Sequence, residues 1–282
     1  VPTAASAVGT YPIASASGTL AASNYSFNFV NGTLTITKAT LTVRADDKSK
    51  LFGSANPALT ASYNGFVNGE TLATSGVSGS PAITTTALAN SVAGKYPINV
   101  AQGTLASSNY SFSYQPGTLS VNMGVTFTKQ DPICLDGTDG TVTISVQGAN
   151  GSTLTYSSDN GTTYQSGATI NGLGVGTYKL KVKDADGNES VVADAILNIE
   201  IARWIGSTTG NQTNRTDWAN PANWSNNKVP TSITHVIVPA TFTVNISANA
   251  SVASIQVAAG ATVNVANGIR LTVAGKCGAL PN

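Results

Sequence analysis

One stretch of this chain is written twice, and that repetition constrains the fold more than any other feature. Gly18-Thr-Leu-Ala-Ala-Ser-Asn-Tyr-Ser-Phe-Asn-Phe-Val-Asn-Gly-Thr-Leu34 returns as Gly103-Thr-Leu-Ala-Ser-Ser-Asn-Tyr-Ser-Phe-Ser-Tyr-Gln-Pro-Gly-Thr-Leu119, with Gly18, Tyr25 and Leu34 each 85 positions before Gly103, Tyr110 and Leu119. Self-similarity at one fixed period marks an array of like units rather than a single core. In this register Val1 aligns with Thr86. The expectation is therefore that the chain opens in the second half of a module and belongs to something longer.

Both copies alternate with a period of two. Tyr25, Phe27 and Phe29 are separated by Ser26 and Asn28, and Leu34 and Ile36 by threonines. That is the pattern of half-buried strands. Asn31-Gly32 between the two runs is a strong hairpin signal, so the stretch reads as the closing hairpin of a module. The same alternation runs through residues 38–122, in Leu41/Val43, in Tyr110/Phe112/Tyr114, expected as core, and in Leu119/Val121. Gly53, Pro57, Gly65, Gly69, Gly76, Gly79 and Pro81 divide it into short strands. Charged residues make up only 10% of the chain, and the Thr-, Ser-, Asn-, Gly- and Val-rich remainder favours strands and turns over helices. The fold class expected is all-β: tandem immunoglobulin-like β-sandwich modules.

The wording changes twice more. In residues 123–200, Val142, Ile144 and Val146 share one strand face. Tyr178, Leu180 and Val182 point inward from another strand, whose Lys179, Lys181 and Lys183 point outward; this reads as a further sandwich. In residues 201–282 apolar pairs recur at a short, nearly even beat, as Val244/Ile246, Ile255/Val257, Val263/Val265 and Leu271/Val273. That beat suits the rungs of a parallel β-solenoid, with one more sandwich as the alternative. The organisation expected is thus 1–37, the end of one repeat; 38–122, a complete repeat; 123–200, a different sandwich; and 201–282, the solenoid-like segment.

Several function classes drop out on composition. A net charge of +1 leaves no electrostatic footprint for nucleic acid, and no apolar run reaches the roughly 18 residues of a membrane-spanning helix. The two cysteines, Cys134 and Cys277, stand far apart in different expected modules and are expected not to pair with each other.

Candidate chemistry is sparse. His235 is the sole histidine, and no spacing proposes a base-orienting partner for it. Asp184, Asp186 and Asn188 place oxygens at alternate positions, as calcium loops do, but Glu189 and Ala195 stand where an EF-hand needs its glycine and its bidentate glutamate. Calcium is the one cofactor held open there, against a plain hairpin turn; Asp46-Asp47 and Asp136/Asp139 carry no stronger signal. Trp204, Trp218 and Trp224 form the main aromatic group. They are read either as a platform stacking on sugar rings or, preferred, as large rings plugging a solenoid end. Asp217 is the only acid from Arg203 onward, which is poor for paired-carboxylate glycan cleavage, so no enzyme is expected.

Ala39-Thr-Leu-Thr-Val-Arg-Ala-Asp-Asp-Lys-Ser-Lys-Leu-Phe-Gly-Ser-Ala-Asn-Pro57, Tyr63-Asn-Gly-Phe-Val-Asn-Gly-Glu-Thr71, Gly94-Lys-Tyr-Pro-Ile98 and Asn109-Tyr-Ser-Phe112 resemble the MBG repeat of large bacterial surface proteins. That family usually has Tyr-Gly-Asp where Phe52-Gly53-Ser54 stands. Cys134-x-x-Gly137-x-Asp139-Gly140 with the Gly176-to-Gly187 strand resembles the SprB-type repeat of gliding adhesins in Bacteroidota, without a second cysteine after Gly187. The Trp204-Ile-Gly206 opening is similar to the entry of solenoid segments in secreted proteins of that phylum. The resemblance implies a non-catalytic stalk segment of a surface adhesin, exported by the type IX secretion system and serving attachment or gliding. Its implied partners are neighbouring modules, the export machinery and a glycan or other surface ligand. The alternative is a carbohydrate-binding region beside a polysaccharide-processing enzyme.

Overall fold

A computed structural model of the chain describes residues 2, 3, 6–206 and 215–274. The fold is all-β, and Val1–Asn122 and Met123–Asn282 are two compact units.

In the first unit, β1 (Gly9–Ile13) and β2 (Gly32–Ile36) form a two-stranded antiparallel sheet. The complete repeat then supplies β3 (Ala39–Ala45), β4 (Lys48–Leu51), β5 (Ala61–Asn64), β6 (Ala82–Thr85), β7 (Gly94–Ala101), β8 (Tyr110–Gln115) and β9 (Gly117–Asn122). They form two sheets, ordered β5-β3-β8 and β4-β9-β7-β6. Ala45, Ala87, Ile98 and Leu119 cluster in the core, with Leu59, Ile83, Tyr96 and Val100 packed against them. Leu41 and Val43, on the inward face of β3, are fully buried as well.

The repeat is structural as well as textual. Gly94 stands opposite Val121, Tyr96 opposite Leu119 and Ile98 opposite Gly117; one repeat earlier, Gly9 stands opposite Ile36, Tyr11 opposite Leu34 and Ile13 opposite Gly32. What does not form is the expected closing hairpin. β8 belongs to one sheet and β9 to the other, and residues 25–30 of the earlier copy form no strand at all. The turn before Gly117 carries the chain between layers: β8 pairs with β3, whereas β9 pairs with β4 and β7. Glycine is required at that crossing, since a Cβ on Gly117 would lie 2.4 Å from the carbonyl oxygen of Ala45.

The second unit begins with β10 (Gly124–Gln130), β11 (Gly140–Gln147), β12 (Thr155–Ser157), β13 (Thr169–Leu173), β14 (Gly176–Lys183) and β15 (Ala193–Leu197), arranged in sheets β10-β11-β13 and β12-β14-β15. Val142, Ile144, Ile170, Leu173, Leu180, Val182, Ala195 and Leu197 fill the core. The outward lysines of β14 pair with acids, Lys181 and Lys183 with Glu189 at 2.6 and 3.2 Å and Lys179 with Asp194 at 3.2 Å.

Pairing then turns parallel. β16 (Glu200–Arg203), β17 (Thr234–Val238) and β20 (Ser254–Val257) make one sheet, β18 (Thr243–Ile246) and β21 (Thr262–Val265) a second, and β19 (Ala250–Val252) and β22 (Leu271–Val273) a third. Val236 lies over Ile255, Val244 over Val263 and Val252 over Val273. This corrects the expected beat. Apolar pairs that follow one another directly in the sequence are successive sides of one turn of chain, not stacked rungs. The stacked partner comes a full turn later, from β17 to β20, from β18 to β21 and from β19 to β22. Each side is one short strand and a corner, so three sides are traversed before a strand meets its neighbour.

Cys134 is disulfide-bonded, and Cys277, the other cysteine of the sequence, lies outside the described residues. The expectation that the two cysteines do not pair with each other therefore falls on a residue outside the described ones. Residues 123–200 and the parallel strands share one compact unit, and the carbonyl of Ile133, next to Cys134, hydrogen-bonds to His235 on β17. Separation along the sequence was a poor guide to distance.

Candidate functional site

The tryptophans come together in the one place where the parallel stack, among the described residues, has a short 3-10 turn, Pro221–Asn223. Asn220 caps that turn by accepting from the Ala222 amide, and Pro221 suits its first position, since it lacks the amide that would go unbonded there. Asn223, fully buried, donates through Nδ2 to the Asp217 carbonyl at 2.8 Å. The Trp218 carbonyl accepts from Trp224 Nε1 at 2.9 Å. Trp224 stands edge-on to both other rings, with centroids 4.8 Å from Trp204 and 4.7 Å from Trp218, a favourable aromatic geometry. All three are buried among Ala202, Val236, Val238, Val244, Ile246 and Val252. No ring face is therefore presented to a sugar, which corrects the platform reading of Trp204, Trp218 and Trp224. Indoles of this size contribute more as a cap over aliphatic side chains than as a surface.

His235 is fully buried. Its Nε2 faces the Ile133 carbonyl, which can only accept, so Nε2 carries the proton. Nδ1 is hydrogen-bonded with Ser254 Oγ at 2.7 Å. Both ring nitrogens are occupied by these partners, and the imidazole ties Ile133 to the parallel strands.

The Asp184, Asp186 and Asn188 turn is built on N–H donors. Asp184 accepts from the amides of Asn150, Asp186 and Asn188 at 3.2, 3.1 and 2.9 Å, and from Asn188 Nδ2. Burial opposes its ionisation, but these hydrogen bonds outweigh burial and hold the carboxyl below its ordinary value. Asp186 accepts from Asn150 Nδ2. Oxygens already aimed at donors within the turn suit a hairpin closure better than a calcium shell. Among the described residues no group of three or more His, Cys, Asp or Glu is placed to hold a metal ion.

The remaining acids act likewise. Asp47 accepts from the Thr118 amide at 2.7 Å and pairs with Arg44, joining the β3–β4 turn to β9. Asp139 accepts from the Ile133 amide at 3.1 Å. Asp159 is held well below the usual carboxylate range by hydrogen bonds from Ser157 and Thr163. Glu189 is lowered to about 2 by its hydrogen bonds from Lys181 and Lys183.

Three devices escaped sequence reasoning. Tyr11, Tyr96 and Tyr178 each stand two places after a glycine, and each donates its hydroxyl to the carbonyl four places earlier, of Ala7, Val92 and Gly174, at 2.8, 3.0 and 3.1 Å. The Gly-x-Tyr shared by the two copies of the repeat and by the differently worded module after them was the available signal for this corner. Lys50 is buried with Nζ donating to the carbonyls of Ser54, Leu88 and Ala89; nothing in its spacing announced that. Asn264 donates to Asn245 at 2.9 Å, and Asn245 to Thr216 at 3.0 Å, forming a polar ladder up one side of the parallel strands. A cleft of about 610 Å³ is lined by both charged and apolar side chains, among them Lys129, Asp131, Pro132, Glu200, Ile201 and Lys228, of which Lys129 and Asp131 pair at 2.8 Å.

Against known families, residues 2–35 and 41–120 match the model of the MBG domain, YGX type. The matched ranges are the half-copy and the complete copy found from the repeat period. No curated protein matches the chain. No helix among the described residues is long and apolar enough to cross a membrane.

Proposed function

From the two MBG-type copies, we propose that this chain is a non-catalytic run of β-modules in a bacterial surface protein, working as a spacer that holds a more distant binding region away from the cell. The observation that carries the reading is the repeat in its physical form: the strand register that begins at Gly9 recurs at Gly94, and the complete repeat encloses its own core. Units that fold locally and contact mainly their neighbours are the economical way to build length. The side chains best suited to chemistry are spent on structure, His235 on a join, Asp184 on a turn and the tryptophans on a cap.

On this reading residues 38–122 and 123–200 are immunoglobulin-like sandwiches, the latter of SprB type, and residues from Glu200 onward are turns of a β-solenoid. The parent is a Bacteroidota adhesin exported by the type IX system to the cell surface, with attachment or gliding as its use. Titration of the full chain against a glycan panel, with product analysis, tests the central point. No saturable heat and no hydrolysis are expected. Saturable glycan binding would move the chain to the carbohydrate-binding class, and turnover would refute the non-catalytic assignment.

A further inference from the structure

The two sheets of the complete repeat end in four edge strands, β5, β8, β4 and β6, and one of them lacks the usual safeguards. β4, β5 and β6 are only four residues long, and β4 carries Lys48. β8 is six residues, Tyr-Ser-Phe-Ser-Tyr-Gln, with neither charge nor proline. Proteins ordinarily avoid long uncharged edges, because an unpaired row of N–H and C=O groups is a template for another strand. The register says which groups are open. β8 runs parallel to β3, and the amide of Ala39, opposite Tyr110, donates to the Asn109 carbonyl. In a parallel ladder this turns the backbone of Asn109, Ser111 and Ser113 toward β3, and that of Phe112 and Tyr114 away from it. Among the described residues no strand pairs with β8 on that outer side. The side chains alternate as well. Ser111 and Gln115 are exposed, whereas Phe112 and Tyr114 are half-buried beside a cleft of about 400 Å³ lined by Leu105 and Tyr110 among others.

We propose that this edge is a self-association surface, on which β8 of a second copy of the chain pairs antiparallel about a two-fold axis at Ser113. The occupant follows from what the edge demands. Its neighbour must be an extended strand that brings apolar side chains to one face, small polar ones to the other and no charge to be buried, and β8 itself has that alternation. The register follows from the open groups. Of the outward-turned residues, Tyr110 has its amide taken by Ser107 Oγ at 3.2 Å, which leaves Phe112 to meet Tyr114 of the second copy and Tyr114 to meet its Phe112. Ser113 then faces Ser113, and Ser111 faces Gln115. Two aromatic cross-strand pairs form beside the cleft, a favourable combination on a sheet face. Because each copy presents the same strand, the contact closes as a dimer and does not propagate into a filament. This inference goes beyond the spacer reading and does not rest on it.

The test is sedimentation of the full chain at concentrations up to about 1 mM, where even a weak contact is half formed, together with hydrogen exchange. A monomer–dimer equilibrium is expected, with new protection of the Phe112 and Tyr114 amides in the dimer. S111E/Q115E sets like charges opposite one another twice across the two-fold axis and is expected to weaken dimerisation about tenfold or more, as is S111K/Q115K. Both positions are exposed, so each variant's monomer should melt as the parent chain does. An equal mixture of the two variants places Glu opposite Lys and is expected to restore dimers, as heterodimers. Absence of any dimer up to about 1 mM overturns the proposal. So does self-association that S111E/Q115E leaves unchanged, that the mixture fails to restore, or that leaves the Phe112 and Tyr114 amides unprotected.

Discussion

Leu34 and Leu119 are the same residue in the same repeated motif, each opposite the tyrosine of its module's Gly-x-Tyr corner, yet truncating them is expected to have unequal effects. Leu119 is fully enclosed in the cluster of Ala45, Ala87, Ile98, Ile83 and Tyr96, so Leu119→Ala removes the transfer free energy of the lost methyl groups and also leaves a cavity. Buried leucines treated this way lose about 3–5 kcal/mol. Leu34 keeps 40% of its surface in water and can leave no closed cavity, so only part of the transfer term remains, about 1 kcal/mol. The difference of at least about 2 kcal/mol corresponds to roughly 30-fold in an opening equilibrium. Native-state hydrogen exchange on the full chain resolves it: amides of β7 and β9 should lose protection in Leu119→Ala by that much more than amides of β1 and β2 lose in Leu34→Ala. Losses within about 0.5 kcal/mol of each other, the scatter expected of independent sites, would refute the reasoning, because they would mean that the half-copy is as well packed as the complete one.

Lys50→Met keeps the buried stem but removes the donor to the carbonyls of Ser54, Leu88 and Ala89; a loss of about 1–2 kcal/mol is expected, with faster exchange of the Gly53 amide, which donates to Ala89. His235→Ala removes the buried hydrogen bond to the Ile133 carbonyl and should destabilise the second unit by about 2–4 kcal/mol through that loss and a void. Tryptophan fluorescence isolates the effect, since all three tryptophans follow Met123, and unchanged melting would discount the join. Glu189 is depressed from 4.5 to about 2, so the stability it adds is fully present above about pH 4.5 and is lost as pH falls through about 2. The melting temperature of the second unit should fall over that window, and Glu189→Gln should flatten the fall; an unaltered pH profile would count against the Lys181–Glu189–Lys183 cluster.

The period, the strand content and the inward faces were legible in the sequence because each depends on local order: alternation fixes which side chains share a face, and identical words one period apart must adopt like strands when given like neighbours. Leu180 and Val182 inward with Lys181 and Lys183 outward is the plainest case. Tertiary structure alone decided which strands became neighbours. Asn31-Gly32 carries the local signal of a hairpin, yet the equivalent Pro116-Gly117 passes from one sheet to the other, because β3 and β7 draw its two flanking strands into different layers. Short apolar pairs looked like stacked rungs until Val263 proved to lie over Val244, and Val273 over Val252, which turned the pairs between them into sides of a turn. The tryptophans, the histidine and Cys134 were visible as residues, but whether a ring faces water, whether an imidazole meets a carbonyl 102 positions away and whether a thiol is bridged are distances through space. The repeated stretch makes the point within one chain: Tyr25 and Tyr110 sit in the same words, and Tyr110 is core through the neighbours it meets in space, β3 alongside it, Phe66 against its ring and Glu70 at its hydroxyl.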